Sequence, residues 1–178
     1  MVAALALAAM AVTAVLVLRD SSDQSATPTT ESPPRQQGVR FGAARLGIVG
    51  FRPRSWRVTR SPRAIRVRSP DRAGLVGVSV APSSVGPRAL IGSSLAAVRR
   101  SYRRVRLAPV RRARIGGVAA RTTGGTATNS SGVRLDLVLV SAKGSRRTYL
   151  IQAFVARSAA GTRLAEAQQI VNSLDLTG

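Results

Sequence analysis

Neither cysteine nor histidine occurs in this 178-residue chain, and lysine occurs once, at Lys143. Without thiolate or imidazole, and with only 7 Asp+Glu, the sequence offers almost no ligands for zinc, copper, haem or an iron–sulfur cluster, and no cofactor is expected. The lack of cysteine also excludes a disulfide framework and the thiol through which bacterial lipoproteins are lipidated. Any membrane attachment must therefore be peptide. Aromatic residues make up 3% of the chain, too few for the stacking platforms that hold single-stranded nucleic acid.

What the chain has in excess is arginine. Lys+Arg number 28, for a net charge of +21, and all but Lys143 are arginine. Two readings stand side by side: planar, bidentate recognition of phosphate or carboxylate, or the composition of a GC-rich genome, which also enriches Ala, Gly and Val.

Three regions differ in texture. Residues 1–18, "MVAALALAAMAVTAVLVL", carry no charge and no Gly or Pro. As a helix they would span about 27 Å, close to a hydrocarbon core of about 30 Å. They read as a transmembrane anchor. A cleaved signal peptide is the alternative, with Val12-Thr13-Ala14 as its small-residue site, although no Lys or Arg precedes the apolar run. Residues 19–40, rich in Ser, Thr, Pro and Gln, cannot form a packed core and read as a disordered linker. Residues 41–178 have the length and apolar content of one globular domain. The linker's acids Asp20, Asp23 and Glu31 balance Arg19, Arg35 and Arg40, so the whole excess charge belongs to the domain.

Within the domain, "LGIVGF" (46–51), "RAIRVRS" (63–69) and "GLVGVSVAP" (74–82) read as strands, the second with Ile65 and Val67 on one face and Arg66 and Arg68 on the other. The period then changes. Over 88–104, Ile91, Leu95, Val98 and Tyr102 form one helical stripe, with Arg100, Arg103 and Arg104 opposite. Strands are predicted at 114–124, 133–142 and 147–157, with turns at "GGTATNSSG" and "KGSR". A last helix would be capped by Thr162 and would face the core with Leu164, Ala167, Ile170, Val171 and Leu174. The fold class is α+β: an antiparallel sheet with two packed helices, preceded by the N-terminal transmembrane or signal helix.

Pro53-x-x-Trp56 after the leading strand, "VRSPD" (67–71), a central helix ending near Tyr102 and "IVNSL" (170–174), taken with the element order, resemble the PsbP-like α/β/α sandwich of LpqN-type actinobacterial cell-envelope proteins. The resemblance covers roughly residues 44–176. It implies an extracytoplasmic, membrane-attached binding or accessory domain, with no catalytic residues to carry over. In such a fold Trp56 belongs to the core, its indole N–H satisfied at the rim, and Arg52, Arg54, Arg57 and Arg60 lie outside it.

Candidate site residues are the arginines Arg99, Arg100, Arg103, Arg104, Arg106, Arg111, Arg112 and Arg114, with no acid between Asp71 and Asp136 to offset them. Such self-repulsion calls for an anionic partner. Beside an envelope membrane these are anionic lipid headgroups, an acidic wall polymer or an envelope protein. Nucleic acid binding on the cytoplasmic side is the rival reading of an isoelectric point near 12.0; it lacks stacking aromatics, zinc-finger spacing and an RNP-like motif. The positive-inside rule taken alone leaves the domain in the cytoplasm, whereas the linker composition and the resemblance argue for the outside. A hydrolase would have to draw on Asp71, Asp136, Glu166 or Asp175. Of these, Asp71 reads as a turn residue, Asp136 as a strand residue and Glu166 as a first-turn helix residue favoured by the dipole. Lys143, in a hairpin turn, is poorly placed to activate a serine. No enzymatic activity is expected.

Overall fold

The computed structural model describes residues 38–177. The expected N-terminal helix and nearly all of the linker lie outside them, and no helix among the described residues is long and apolar enough to cross a membrane. Among the described residues eleven strands form two antiparallel sheets, with two α-helices packed on them. The smaller has the order β1 (Val39–Ala43), β2 (Ile48–Arg52), β11 (Asp175–Leu176). The larger runs β3 (Arg57–Ser61), β4 (Ala64–Arg68), β5 (Gly74–Pro82), β10 (Arg147–Ala156), β9 (Arg134–Lys143), β8 (Val118–Thr128), β6 (Arg103–Leu107), with β7 (Arg111–Ile115) also paired to β8. Helix α1 (Pro87–Ser101) lies against β8, β9 and β10 on one face. Helix α2 (Ala160–Asn172) lies against β5 and β10 on the other and also touches β2. The result is the expected α+β arrangement.

Alternation along the central strands feeds two cores. On the α2 side Ile65, Val67, Val76, Val78, Tyr149 and Ile151 meet Ala167 and Ile170 of the helix and Phe41, Ile48 and Leu176 of the small sheet. On the α1 side Leu137, Leu139 and Ala127 meet Val98, with Leu95 and Tyr102 alongside; Tyr102 stacks on Phe154 at 5.6 Å. The apolar stripes of both helices are therefore core stripes, as their periodicity predicts.

Trp56 is 1% exposed. The chain reaches it through a tight turn in which Trp56 N–H donates to Pro53 O at 3.1 Å. Arg52 Nη1 donates to the carbonyls of Pro53, Arg54 and Trp56. The half-buried Arg52 thus folds the loop that delivers the indole, while Arg54, Arg57 and Arg60 are exposed. Arg60 Nε reaches Gly42 O at 2.9 Å and ties β3 to β1.

Several boundaries differ from expectation, each for a local reason. The strand expected at 46–51 is β2, and it is preceded by an unpredicted strand, β1, which starts just inside the expected linker and pairs with β2 from Val39↔Arg52 onward. The first helix ends at Ser101 rather than 104: Tyr102 is already extended, and Arg103 and Arg104 enter β6, where Val105 and Leu107 alternate into the α1-side core. Arg100, Arg103 and Arg104 therefore do not share one helix face. The run 114–124 is not a single strand. Gly116 and Gly117, at φ 52 and 77, make a two-residue hairpin between Ile115 and Val118, while Gly124 and Gly125, expected in a turn, continue β8 to Thr128. Thr162 does not cap α2, which begins at Ala160 directly from a 3-10 turn (Arg157–Ala159), and Glu166 consequently sits beyond the first helical turn.

Gly74 lies against the indole: a Cβ there would stand 2.7 Å from Trp56 Cη2. Substituting Gly74→Ala should destabilise the domain by about 1–3 kcal/mol through overpacking, and Trp56→Ala by about 3–5 kcal/mol through loss of the buried ring. Urea unfolding followed by circular dichroism measures both. A Gly74→Ala domain as stable as the parent would mean that the ring has room to move.

Candidate functional site

The eight candidate arginines occupy one contiguous stretch of surface chain. Arg99 and Arg100 fill the last turn of α1, where the helix dipole favours positive charge. Arg103, Arg104 and Arg106 lie in β6, and Arg111, Arg112 and Arg114 in β7, the two strands that pair in succession along the free side of β8. All eight are exposed, and none takes part in the ion pairs formed among the described residues. Arg114 Nη2 donates to Gly117 O at 2.7 Å across the hairpin.

Strand register divides them between faces. Arg103 pairs with Thr128, Arg106 with Thr126 and Arg111 with Thr122. These threonines share a face with Ala120, which belongs to the α2-side core. Arg112, opposite Arg121, and Arg114, opposite Ala119, point to the α1 side. The bulge between Arg103 and Arg106, with Arg104 at φ 49 as the extra residue, puts those two on one face, and the ordinary alternation of β7 separates Arg111 from Arg112 and Arg114. Sequence spacing alone could not show it, because the helical stripe runs on through Tyr102 and hides the change of period.

A second arginine group emerges only from pairing. Arg57 stands directly across from Arg68, and Arg66 sits on the same face two residues along. The alternation of 63–69 places Arg66 and Arg68 together, but β3 has little apolar patterning to reveal Arg57 as their neighbour. Basic residues thus line both edges of the large sheet, which also discourages edge-to-edge association.

The acids are used internally. Arg163 Nε donates to Asp71 Oδ2 at 2.8 Å and its Nη1 to Glu166 Oε2 at 2.6 Å; the same Glu166 oxygen accepts Trp56 Nε1–H at 3.0 Å. Asp71 Oδ1 accepts from the Ser69 hydroxyl and from Ala73 N–H, and Ser69 Oγ in turn accepts Gly74 N–H at 2.8 Å. Asp136 faces Arg157 at 3.5 Å. Two carboxylates, Asp71 and Glu166, are therefore brought together across a long stretch of sequence, with a guanidinium between them. Such an arrangement suits a structural clasp between the Ser69–Gly74 turn and α2. Lys143 Nζ donates to the Ser83 carbonyl. Among the described residues no cluster of three His, Cys, Asp or Glu is placed to hold a metal ion.

No known family model matches the chain, and no curated protein does. Solved structures do match in fold. Cyanobacterial PsbP (CyanoP) from Synechocystis sp. PCC 6803 aligns with a TM-score of 0.58 at 12% identity, covering 78% of this chain and 91% of that one. LpqN of Mycobacterium tuberculosis, described as involved in cell envelope biogenesis, aligns with a TM-score of 0.53 at 14% identity, covering 83% and 88%. A Bacteroides thetaiotaomicron protein aligns at 0.56 and 15% identity over 80% of this chain, which spans about half of that longer protein, 49%. The domain has the PsbP-like fold, as its element order suggests.

The Ser69 hydroxyl, the Ala73 N–H and Arg163 hold the Asp71 carboxyl down at about 2. A depressed carboxyl adds stability that is present above its ordinary value near 4 and is lost as pH falls toward about 2. Asp71→Asn should therefore lower stability at neutral pH and flatten the acid limb of the stability–pH curve over that interval. An unchanged acid limb in the variant would show that the clasp does not contribute to folding.

Proposed function

We propose that this chain is a membrane-tethered, extracytoplasmic accessory or binding module, without catalytic activity, whose exposed arginines engage anionic partners. The observation that carries this reading is the row of eight exposed arginines along α1, β6 and β7 with no acidic counterpart. Apart from Arg114, which gives one N–H to Gly117 O, these guanidinium groups keep their hydrogen-bonding capacity for phosphate or carboxylate, and their mutual repulsion falls when such a group binds. The use of Asp71, Glu166 and Asp136 in internal ion pairs supports a non-catalytic role. The apolar N-terminal run supplies the tether, and the likeness to LpqN, a cell-envelope protein, supports an outward-facing domain.

Two results are expected. The purified domain should bind vesicles or polymers of negative charge and release them as salt rises past the concentration at which the Debye length falls below about 10 Å, with each basic residue near a charged bilayer contributing about 1 kcal/mol. Binding that ignores salt would count against an electrostatic surface. In cells, protease added to intact spheroplasts should digest the domain, and a domain that survives while an external control is cut would place it in the cytoplasm and favour nucleic acid as the partner.

A further inference from the structure

Seven strand positions at about 4.8 Å spacing make a sheet wider than one helix of about 10 Å can cover. On the α2 side the helix lies over β5 and β10, and the small sheet meets the β7–β8 hairpin, where Gly116 approaches the Leu174 carbonyl. The stretch of β8 beyond that hairpin has no helix over it. Its face presents Thr122, Gly124, Thr126 and Thr128 in succession, all half-buried. Along one side run Arg111, Arg106 and Arg103, each directly opposite one of the threonines. On the other side Arg134 is opposite Thr128, and Asp136 is opposite Thr126. Asp136 is the acid on this strip and is matched by Arg157, so the strip's charge remains strongly positive.

The three threonine hydroxyls and the guanidiniums of Arg103, Arg106 and Arg111 have no hydrogen-bond partner among the described residues. Gly124 leaves a gap in the middle: a Cβ there would meet nothing closer than Leu137 O at 3.5 Å. The strip is thus a shallow channel of hydroxyls walled by guanidiniums, with a repeat of about 6.8 Å set by the strand. Resting on the anionic-partner reading above, we propose that this strip binds a linear phosphodiester polymer that lies along β8, its phosphates held by the three arginines and its backbone oxygens by the threonines.

Two features favour a polymer over a bilayer. A membrane-docking face inserts large apolar side chains, whereas the exposed large hydrophobic residues among the described residues are Val110 and Val133, at 36% and 39%. A channel one strand wide also matches a chain better than a plane. The absence of aromatic residues from the strip's positions favours a polymer without bases, since base stacking needs a ring to rest on.

The test compares two double variants of equal charge change on opposite faces of the same edge, Arg106→Glu with Arg111→Glu and Arg112→Glu with Arg114→Glu, against poly(glycerol phosphate), phosphatidylglycerol vesicles and oligo(dT). The first pair should weaken poly(glycerol phosphate) binding roughly tenfold or more, and the second by no more than about twofold, because phosphate contacts are lost only in the first. Gly124→Val, which narrows the channel without changing charge, should weaken the polymer and leave vesicles unaffected. Circular dichroism and melting temperature establish that each variant is folded, and Gly124→Val keeps the question open if a charge-reversed pair is not. Equal losses in both pairs, or a parent that prefers vesicles or oligo(dT), would overturn the strip while leaving the broader anionic reading intact. A parent that binds none of the three would overturn both.

Discussion

The seating of Trp56 is the constraint on which the rest of the domain depends. The indole occupies the junction between the β2–β3 loop, the start of β5 and α2, and three independent features converge on it. Arg52 folds the loop that carries it, Gly74 gives way to its six-membered ring, and Glu166 accepts its N–H. Glu166 is in turn held by Arg163, which reaches the Ser69–Asp71–Gly74 turn. Burial of the ring supplies contact area, and the polar chain around it fixes how α2 lies on the sheet. A buried indole without an acceptor would leave its donor unsatisfied, so packing and electrostatics act here on the same residues.

That clasp also shapes the surface. Removing Arg19, Arg35 and Arg40 from the 28 basic residues leaves 25 in the domain, against the acids Asp71, Asp136, Glu166 and Asp175. Three of those four acids form ion pairs with Arg163 and Arg157. The guanidiniums at the sheet edges are thus left without carboxylates, and the helices, each covering part of one face, leave sheet surface open between those edges. Unpaired charge and uncovered backbone coincide on the α2-side face of β8. A fold with a narrower sheet or a more acidic sequence would lack this combination.

Much of the architecture was legible in the residues, and the failures have physical causes. Strands β4, β5, β9 and β10 and the core stripes of both helices announce themselves because each buries one face, which imposes a period of 2 or 3.6. Trp56 could be placed in the core from its position after a strand and a proline. Edge strands carry a weaker signal: in β6 and β7 arginine stands at most positions, with only Val105 and Leu107, or Ala113 and Ile115, hinting at alternation, and β3 offers only Val58 as an apolar residue. The two Gly-Gly pairs look alike as turn signals, yet only Gly116-Gly117 adopts the left-handed backbone that a tight hairpin demands. The two-residue strand β11 is defined by its pairing with β2 and has no local pattern at all. The arginines of the candidate site could be named individually, but their division between faces depends on the bulge in β6 and on the register of β7 against β8.

The most direct measurement of the central claim is a titration of the isotopically labelled domain with poly(glycerol phosphate), following backbone amides and arginine Nε–H groups by NMR. If the β8 strip is the binding surface, shifts should concentrate at Arg103, Arg106, Arg111 and Thr122–Thr128. Arg57, Arg66 and Arg68 on the opposite edge should stay fixed. Shifts of similar size at arginines on both edges and both faces would contradict the account, since they would report only the attraction of a polyanion to a uniformly basic protein.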